Sequence, residues 1–517
     1  MAKPSVCADL ILQMDWRGLG GDRTHLNRGL YLAIRQAIDS GALLPRSRLP
    51  ASRDLARELG VSRNTVNHAY EQLQVEGYVR SQVGRGTHVV DTLPAALLLS
   101  GGRAPARRAT AAAPAPGGGL SAQAQALLKT AQASEQQWGA FMPGVPDVTE
   151  FPRATYARIH NRLLRHAGPQ LLTYGTRGGV DALKQALAEH LRVARSVDCG
   201  PGQVLITEGV HQAIDLVVRS LADPGDCVWM EEPGYWGIAN VLRMQHGLHL
   251  HSVPVDEEGM QLPEGLPAPR LIFVTPSHQY PLGAVMSMAR RRALIAYARR
   301  VGAWIVEDDY DSEFRFSGSP VPSMQGMEEG APVIYIGTFS KTLYPGLRMG
   351  YMVLPPALAE PLRRIHSELY REGHQLPQQV IAELITEGHY AAHIRKMRLL
   401  YGKRRRMLLS LIERYLGADH LPWVESSAGL HFVMQLPGQD DDVALAEDLR
   451  QAGIFVKPLS RYYAGPHKRR GLLLGYACVC EEEIGAAFFR MLAVLAARHG
   501  RGGGSLSQPL CLTHKAP

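Results

Sequence analysis

GTFSKTLYPGLRMGY, residues 337–351, follows the short apolar run VIYIG (333–337) and holds a single lysine, Lys341, ahead of the glycine-flanked Arg348. Such a run reads as a strand that delivers a reactive amine to its carboxyl end. Working outward, QVLIT (203–207), CVWME (227–231), RLIFVT (270–275) and AWIVED (303–308) read as further strands. VHQAIDLVVRSLA (210–222) and ARRRALIAYARRV (289–301) read as helices between them. Strand–helix alternation on this scale predicts an α/β domain, a mostly parallel sheet covered by helices on both faces. In such sheets ligands gather outside the carboxyl ends of the strands, where Lys341 falls.

The chain has 517 residues, too many for one ordinary core. No run of eighteen apolar residues and no secretory leader is seen, and six scattered cysteines form no CxxC pair or zinc-type spacing. These features lead us to expect a reducing cytoplasm and no metal. The formal charge of +8 is uneven: residues 1–110 hold 15 Lys+Arg against 9 Asp+Glu, a net +6. An excess at the front suits a polyanionic partner.

That front segment has its own pattern. In SRDLARELG (52–60), Leu55, Ala56 and Leu59 share a helix face and Gly60 terminates it. VSRNTVNHAYEQLQVEGY follows at once, with Ser62 placed to cap a second helix and Val66, Ala69, Tyr70 and Leu73 turned inward. Two short helices joined at a glycine make a helix-turn-helix. YVRSQVGRGTHVV then reads as a hairpin turned at Gly84-Arg85-Gly86, a wing. Arg63 and Asn64 match guanine and adenine edges in the major groove, while serine and threonine suit phosphates. Each polar residue alone reads as a solvated helix face; turn, wing and charge together favour DNA. Residues 28–90 resemble the winged helix-turn-helix of GntR-family transcription regulators. The resemblance implies that Arg53, Arg63, Asn64, Thr65 and Asn67 face DNA, with Gly84 at the wing tip, and Ser62 is a further candidate for DNA contact.

In the large block, Lys341 has company suited to pyridoxal 5'-phosphate. That cofactor needs a carboxylate for its ring nitrogen, a donor for its phenolic oxygen, an aromatic face and a phosphate cradle. IVEDDYDSEFRF (305–316) offers Asp308 and Tyr310, and EEPGYW (231–236) offers Tyr235. TEGVHQA (207–213) is a glycine turn opening a helix whose free N–H groups suit a phosphate, and Arg348 adds a charge-assisted contact. Taken singly, these residues read equally as a helix cap, a core tyrosine, a plain turn and a surface ion pair.

The set resembles aminotransferase-like pyridoxal phosphate proteins of fold type I. Joined to the front domain, it resembles the MocR/GabR-type subfamily of GntR regulators. The motifs that carry this are YGTRGG (174–179), EEPGYWG (231–237), TPSHQYPLGAVMS (275–287), EDDYDSEFRF, GTFSKTLYPGLRMGY and GLLLGYA (471–477). The resemblance implies a Schiff base on Lys341, Asp308 on the pyridinium, Tyr310 on the phenolic oxygen and Tyr235 stacked on the ring. Gly209, Val210, His211 and Arg348 then surround the phosphate, Tyr174 reaches a neighbouring subunit's site, and Tyr280 and His278 line the pocket. Two departures stand out. Val210 and His211 replace the serine and glutamine of many relatives, and Leu473 occupies the place of the arginine that pairs with a substrate α-carboxylate.

The expectation is therefore a winged helix-turn-helix domain (10–91), an Ala/Pro/Gly-rich linker (92–135), an aminotransferase-like domain (136–500) and a disordered tail (501–517). The expected function is a cytoplasmic, pyridoxal-phosphate-binding transcription regulator, a head-to-tail homodimer that binds double-stranded DNA. Its small-molecule effector is expected to be pyridoxal phosphate itself or an amine or amino acid. The alternatives are a working aminotransferase with a DNA-binding appendage and a cofactor-free dimerisation scaffold.

Overall fold

Two units divide the chain, Met1–Gly119 and Leu120–Pro517. The computed structural model describes residues 7, 10–11, 16, 26–82, 86–91, 119–130, 136–175, 177–245, 247–318, 321–424, 428–437 and 441–502. The wing-tip Gly84, most of the stretch read as linker and nearly all of the expected tail lie outside them.

In the first unit, α1 (Leu26–Asp39), α2 (Ser52–Leu59) and α3 (Arg63–Val75) pack around Leu30, Ile34, Leu55, Val66 and Leu73, all fully buried. Helix α2 stops at Gly60, which takes φ +66° and donates its N–H to Ala56 O, a conformation that favours glycine. Ser62 Oγ accepts from Thr65 N at 3.1 Å and so caps α3. The hairpin β1 (Val79–Gln82) and β2 (Gly86–Val89) pairs Val79 with Val89 and Gln82 with Gly86. Residues 47–49 run along its outer edge, with Leu49 N on Thr87 O and Val89 N on Ser47 O. Tyr70 ties α3 to that edge through Pro50 O at 2.9 Å.

The second unit begins with α4 (Ala122–Thr130), a helix within the stretch read as linker. Its main sheet has eight strands: β3 (Val204–Thr207), β4 (Cys227–Glu232), β5 (His249–Asp256), β6 (Gly259–Met260), β7 (Leu271–Val274), β8 (Trp304–Asp309), β9 (Val333–Thr338) and β10 (Gly350–Val353). They lie in the order β3-β10-β9-β8-β7-β4-β5-β6. The run β9-β8-β7-β4-β5 is parallel, whereas β10 is antiparallel to both β9 and β3. Every residue of β3, β7, β9 and β10 is buried, as expected of strands covered on both faces. The predicted strands match these within a residue or two. Among the described residues no helix is long and apolar enough to cross a membrane.

A smaller antiparallel sheet joins β11 (His431–Gln435), β12 (Lys457–Pro458) and β13 (Gly471–Gly475), with β13 in the middle. Its two faces go to different cores because side chains alternate along a strand. Phe432, Met434, Leu472 and Leu474 join the large core that also holds Phe339 and Tyr401. Val433 and Leu473 join Leu282, Leu459 and Tyr462, with Trp236 and Tyr280 packed against them.

Candidate functional site

The carboxyl ends of β3, β4, β7, β8 and β9 meet at one edge of the main sheet, and most of the candidate residues named from the sequence lie there. Lys341 follows β9 by three residues, and its Nζ donates to Gly144 O at 2.7 Å. Three residues on, Asp147 anchors the segment: its carboxylate accepts from Arg404 at 2.9 and 3.0 Å and its N–H donates to Tyr401 Oη at 2.8 Å. Burial pushes the Lys341 amine below its ordinary value, opposed by the carboxylates of Asp311 and Asp308. A lysine so placed spends more time as the free base, the form that attacks an aldehyde.

Asp308 lies on β8, 5 % exposed, and its Oδ1 has no hydrogen-bond partner. Burial raises its carboxyl to about 7; the neighbouring Asp309 adds to the rise and Lys341 opposes it. A buried carboxylate oxygen without a donor is costly unless a ligand supplies one. A protonated pyridine nitrogen is such a donor, so the residues present fit pyridoxal phosphate at this point. The adjacent Asp309 is differently employed: its Oδ2 accepts from Arg195 at 2.7 Å and from Tyr335 at 2.6 Å, which anchors the strand end.

Tyr310 Oη lies 2.9 Å from His278 Nδ1, and that nitrogen is 3.1 Å from both oxygens of Asp311. A carboxylate only accepts, so its contact assigns the Nδ1 proton to the Asp311 side. The Tyr310 oxygen can then accept from the same N–H, which leaves its hydroxyl hydrogen to donate into the site. A phenolic oxygen such as that of pyridoxal phosphate would find a donor there. His278 was named from the sequence without a role; here it orients Tyr310. Asp311, the last acid of EDDYD, was not singled out at all. The missed signal was its spacing, one residue beyond Tyr310 at a strand's carboxyl end.

Gly209 opens the helix α5 (Val210–Leu221) with φ +85°, and a Cβ built there would lie 3.4 Å from the Arg348 guanidinium. Arg348 donates to Glu208 O at 3.2 Å and is otherwise exposed. The first N–H groups of α5 and this cation form a cradle of the kind phosphates occupy. Val210 is half-buried against the core and offers only its backbone. His211 stacks near Tyr235, ring centroids 5.9 Å apart at 22°, with Nε2 3.2 Å from the Tyr235 hydroxyl. Burial, then Arg348 and Lys341, lower the His211 pKa and favour the neutral ring.

Tyr235 also meets Tyr280 edge-on at 5.5 Å, and Tyr280 in turn meets Tyr310, His431 and Tyr462. Tyr174 stands apart, 68 % exposed with the Arg371 guanidinium over its ring. Leu473 is fully buried among Leu282, Val433, Leu459 and Tyr462. Arg469 and Arg470 are exposed, and Arg469 lies over the Trp423 ring. His431 and Tyr462 went unremarked in the sequence, since neither lies in a motif.

In the first unit, Arg53, Ser62, Arg63 and Asn64 are exposed, whereas Thr65 and Asn67 are half-buried. All six lie on α2, on α3 or at the α3 cap. Arg63 Nε reaches Ser52 Oγ at 3.4 Å, a long bond that leaves other donors of the fork available.

Residues 144–484 match the aminotransferase class I and II family, and residues 26–89 match the gntR family of bacterial regulatory proteins. The probable rhizopine catabolism regulatory protein MocR of Rhizobium meliloti is 41% identical over 456 residues, 87% of this chain and 90% of that one. The pyridoxine biosynthesis transcriptional regulator PdxR of Corynebacterium glutamicum is 30% identical over 87% of this chain and 92% of its own. Among solved structures, the kynurenine aminotransferase of Pyrococcus horikoshii superposes with a TM-score of 0.64 at 26% identity, covering 73% of this chain and 95% of that chain. The Thermus thermophilus α-aminoadipate aminotransferase LysN, complexed with N-(5'-phosphopyridoxyl)-L-leucine, gives 0.64 at 27%, with 73% and 95% covered.

Proposed function

The chain belongs to the MocR-type GntR-family transcription regulators, and from that premise we propose that its second unit holds pyridoxal phosphate as a sensor of an amine while its first unit reads DNA. Asp308 would face the ring nitrogen, Tyr310 the phenolic oxygen and Tyr235 one ring face. Gly209, Val210 and His211 at the start of α5, with Arg348, would hold the phosphate. The observation that carries this reading is the unpartnered Oδ1 of Asp308, buried beside a lysine whose amine burial keeps below its ordinary value. When bound, the cofactor supplies an aldehyde that takes up a primary amine reversibly.

The chain's own residues set the rest. Asp311 and His278 fix Tyr310, Gly144 O and the two acids place the Lys341 amine, and the aromatic group around Tyr280 excludes water. Arg63 and Asn64 would meet base edges, while Ser62, Thr65 and Arg53 would meet phosphates. We include in the proposal a homodimer, head to tail, in which the exposed Tyr174 completes the site of the other copy. Efficient transamination of α-amino acids is not part of it, because Leu473 offers no charge to a carboxylate.

The test is the visible absorption spectrum of the purified protein with pyridoxal phosphate, beside Lys341→Ala. A protein-linked cofactor band in the parent alone, together with a cofactor-dependent change in operator affinity, is the expected result. No band in either protein would overturn the reading and leave the second unit as a scaffold.

A further inference from the structure

We propose that the small molecule read by this site is an amine bearing hydroxyls or other hydrogen-bond donors and no carboxylate, selected by His278, His431, Tyr280 and Tyr462. The inference rests on the cofactor reading above and names the ligand class of that site.

The decisive feature is which atoms lack partners. His431 Nε2 lies 3.2 Å from Pro281 O, and a carbonyl only accepts, so that nitrogen carries the proton. Burial, with His278 and Lys341 adding, lowers the His431 pKa to about 3, so the ring is neutral and its Nδ1 is a bare acceptor. His278 donates from Nδ1 to Asp311, which leaves its Nε2 as the ring atom turned away from that acid. Both nitrogens are buried without a partner, in residues only 2 % exposed, and the two ring centroids are 5.3 Å apart. The His431 Nδ1 acceptor calls for a molecule that brings an O–H or N–H group, and a hydroxyl, which both donates and accepts, also suits the His278 Nε2 beside it.

A carboxylate brings none. It would also find no cation where the fold offers a place for one. His431 and Val433 alternate onto the same face of the small sheet, and Val433 and Lys457 are the cross-strand partners of Leu473. That face is sealed at its centre by Leu473 against Leu282, Leu459 and Tyr462. The carboxyl groups of Glu231, Asp308 and Asp311 lie nearby, so an incoming carboxylate meets other acids there. Tyr280 and Tyr462 share one hydrogen bond at 3.1 Å, which leaves one hydroxyl hydrogen to spare for a ligand oxygen. The half-buried Lys457 is the cation on this face among the described residues, so it is the residue a carboxylate would have to use.

L-serine and serinol form a matched pair, because serinol replaces the carboxylate with a hydroxymethyl group. Each is titrated into the full-length protein loaded with pyridoxal phosphate at pH 8, following both the cofactor band and the melting temperature. Serinol is expected to half-saturate at a concentration at least about tenfold below that of L-serine, since unmatched buried polar groups discriminate strongly. His431→Phe is expected to erase the difference by weakening serinol alone, and Lys457→Ala to leave both titrations unchanged. An L-serine preference, or loss of binding in Lys457→Ala, would overturn the ligand class while leaving the cofactor reading intact. Absence of the band in the unmodified protein would overturn both.

Discussion

Asp308→Asn tests the cofactor site through two effects of opposite sign. In the folded protein burial and neighbouring acids raise the Asp308 carboxyl from its ordinary value of 3.8 to about 7. A folded state that holds this proton more tightly than the unfolded chain gains stability fully below about pH 4. That stability is lost as the pH rises through about 7. A rise of this size corresponds to roughly 4 kcal/mol. The Lys341 charge opposes the rise and is already contained in that figure, so the expected gain is at most about 4 kcal/mol. Asparagine keeps the shape and carries no charge, so the cofactor-free variant should melt above the parent at pH 8.5, with the two curves converging toward pH 4. Added pyridoxal phosphate should do the reverse. At a hundredfold excess over its dissociation constant it should stabilise the parent by about 2.7 kcal/mol and the variant by far less. Thermal melts with and without cofactor at pH 4.5, 6.5 and 8.5 give both readings. A variant that melts below the parent at every pH, by a constant margin, would refute the argument, because Asp308 would then be a structural hydrogen-bonding residue.

Two further outcomes are expected. Arg63→Ala should weaken operator binding by about 1–3 kcal/mol and relax specificity at one base position. Its exposed side chain should leave the melting temperature of the first unit within experimental error, and equal weakening on operator and random DNA would instead make Arg63 a phosphate contact. Gly429→Ala should destabilise the second unit by about 2–4 kcal/mol, because alanine resists a positive φ and its methyl would crowd the core. Gly429 has φ +85°, and a Cβ there would lie 2.0 Å from His278 Cε1 and 2.8 Å from Asp311 Oδ2. Calorimetry reads the loss, and a weakened cofactor band should accompany it because His278 orients Tyr310.

The sequence determined the two folds and the place of the candidate lysine because those signals are local. Apolar runs of strand length, glycine at helix ends and a serine at a cap act within a few residues, so β9, Lys341, α2 and α3 could be placed from the text. Asp308, Tyr310, Gly209 and Arg348 were legible for the same reason, each lying at a strand end or a glycine turn. The tertiary structure decided what joins residues far apart in the chain. Only the packing of the small sheet against the main one brings His431 within 5.3 Å of His278 and sets Leu473 against Leu282. Only the fold brings Gly144 O, 197 residues away in sequence, to the Lys341 amine. Hydrogen-bond polarity is fixed the same way: an imidazole becomes a bare acceptor when a distant carbonyl or carboxylate claims its proton. Chain topology makes that assignment for His431, through the Pro281 carbonyl, and no pattern of neighbouring residues could have supplied it.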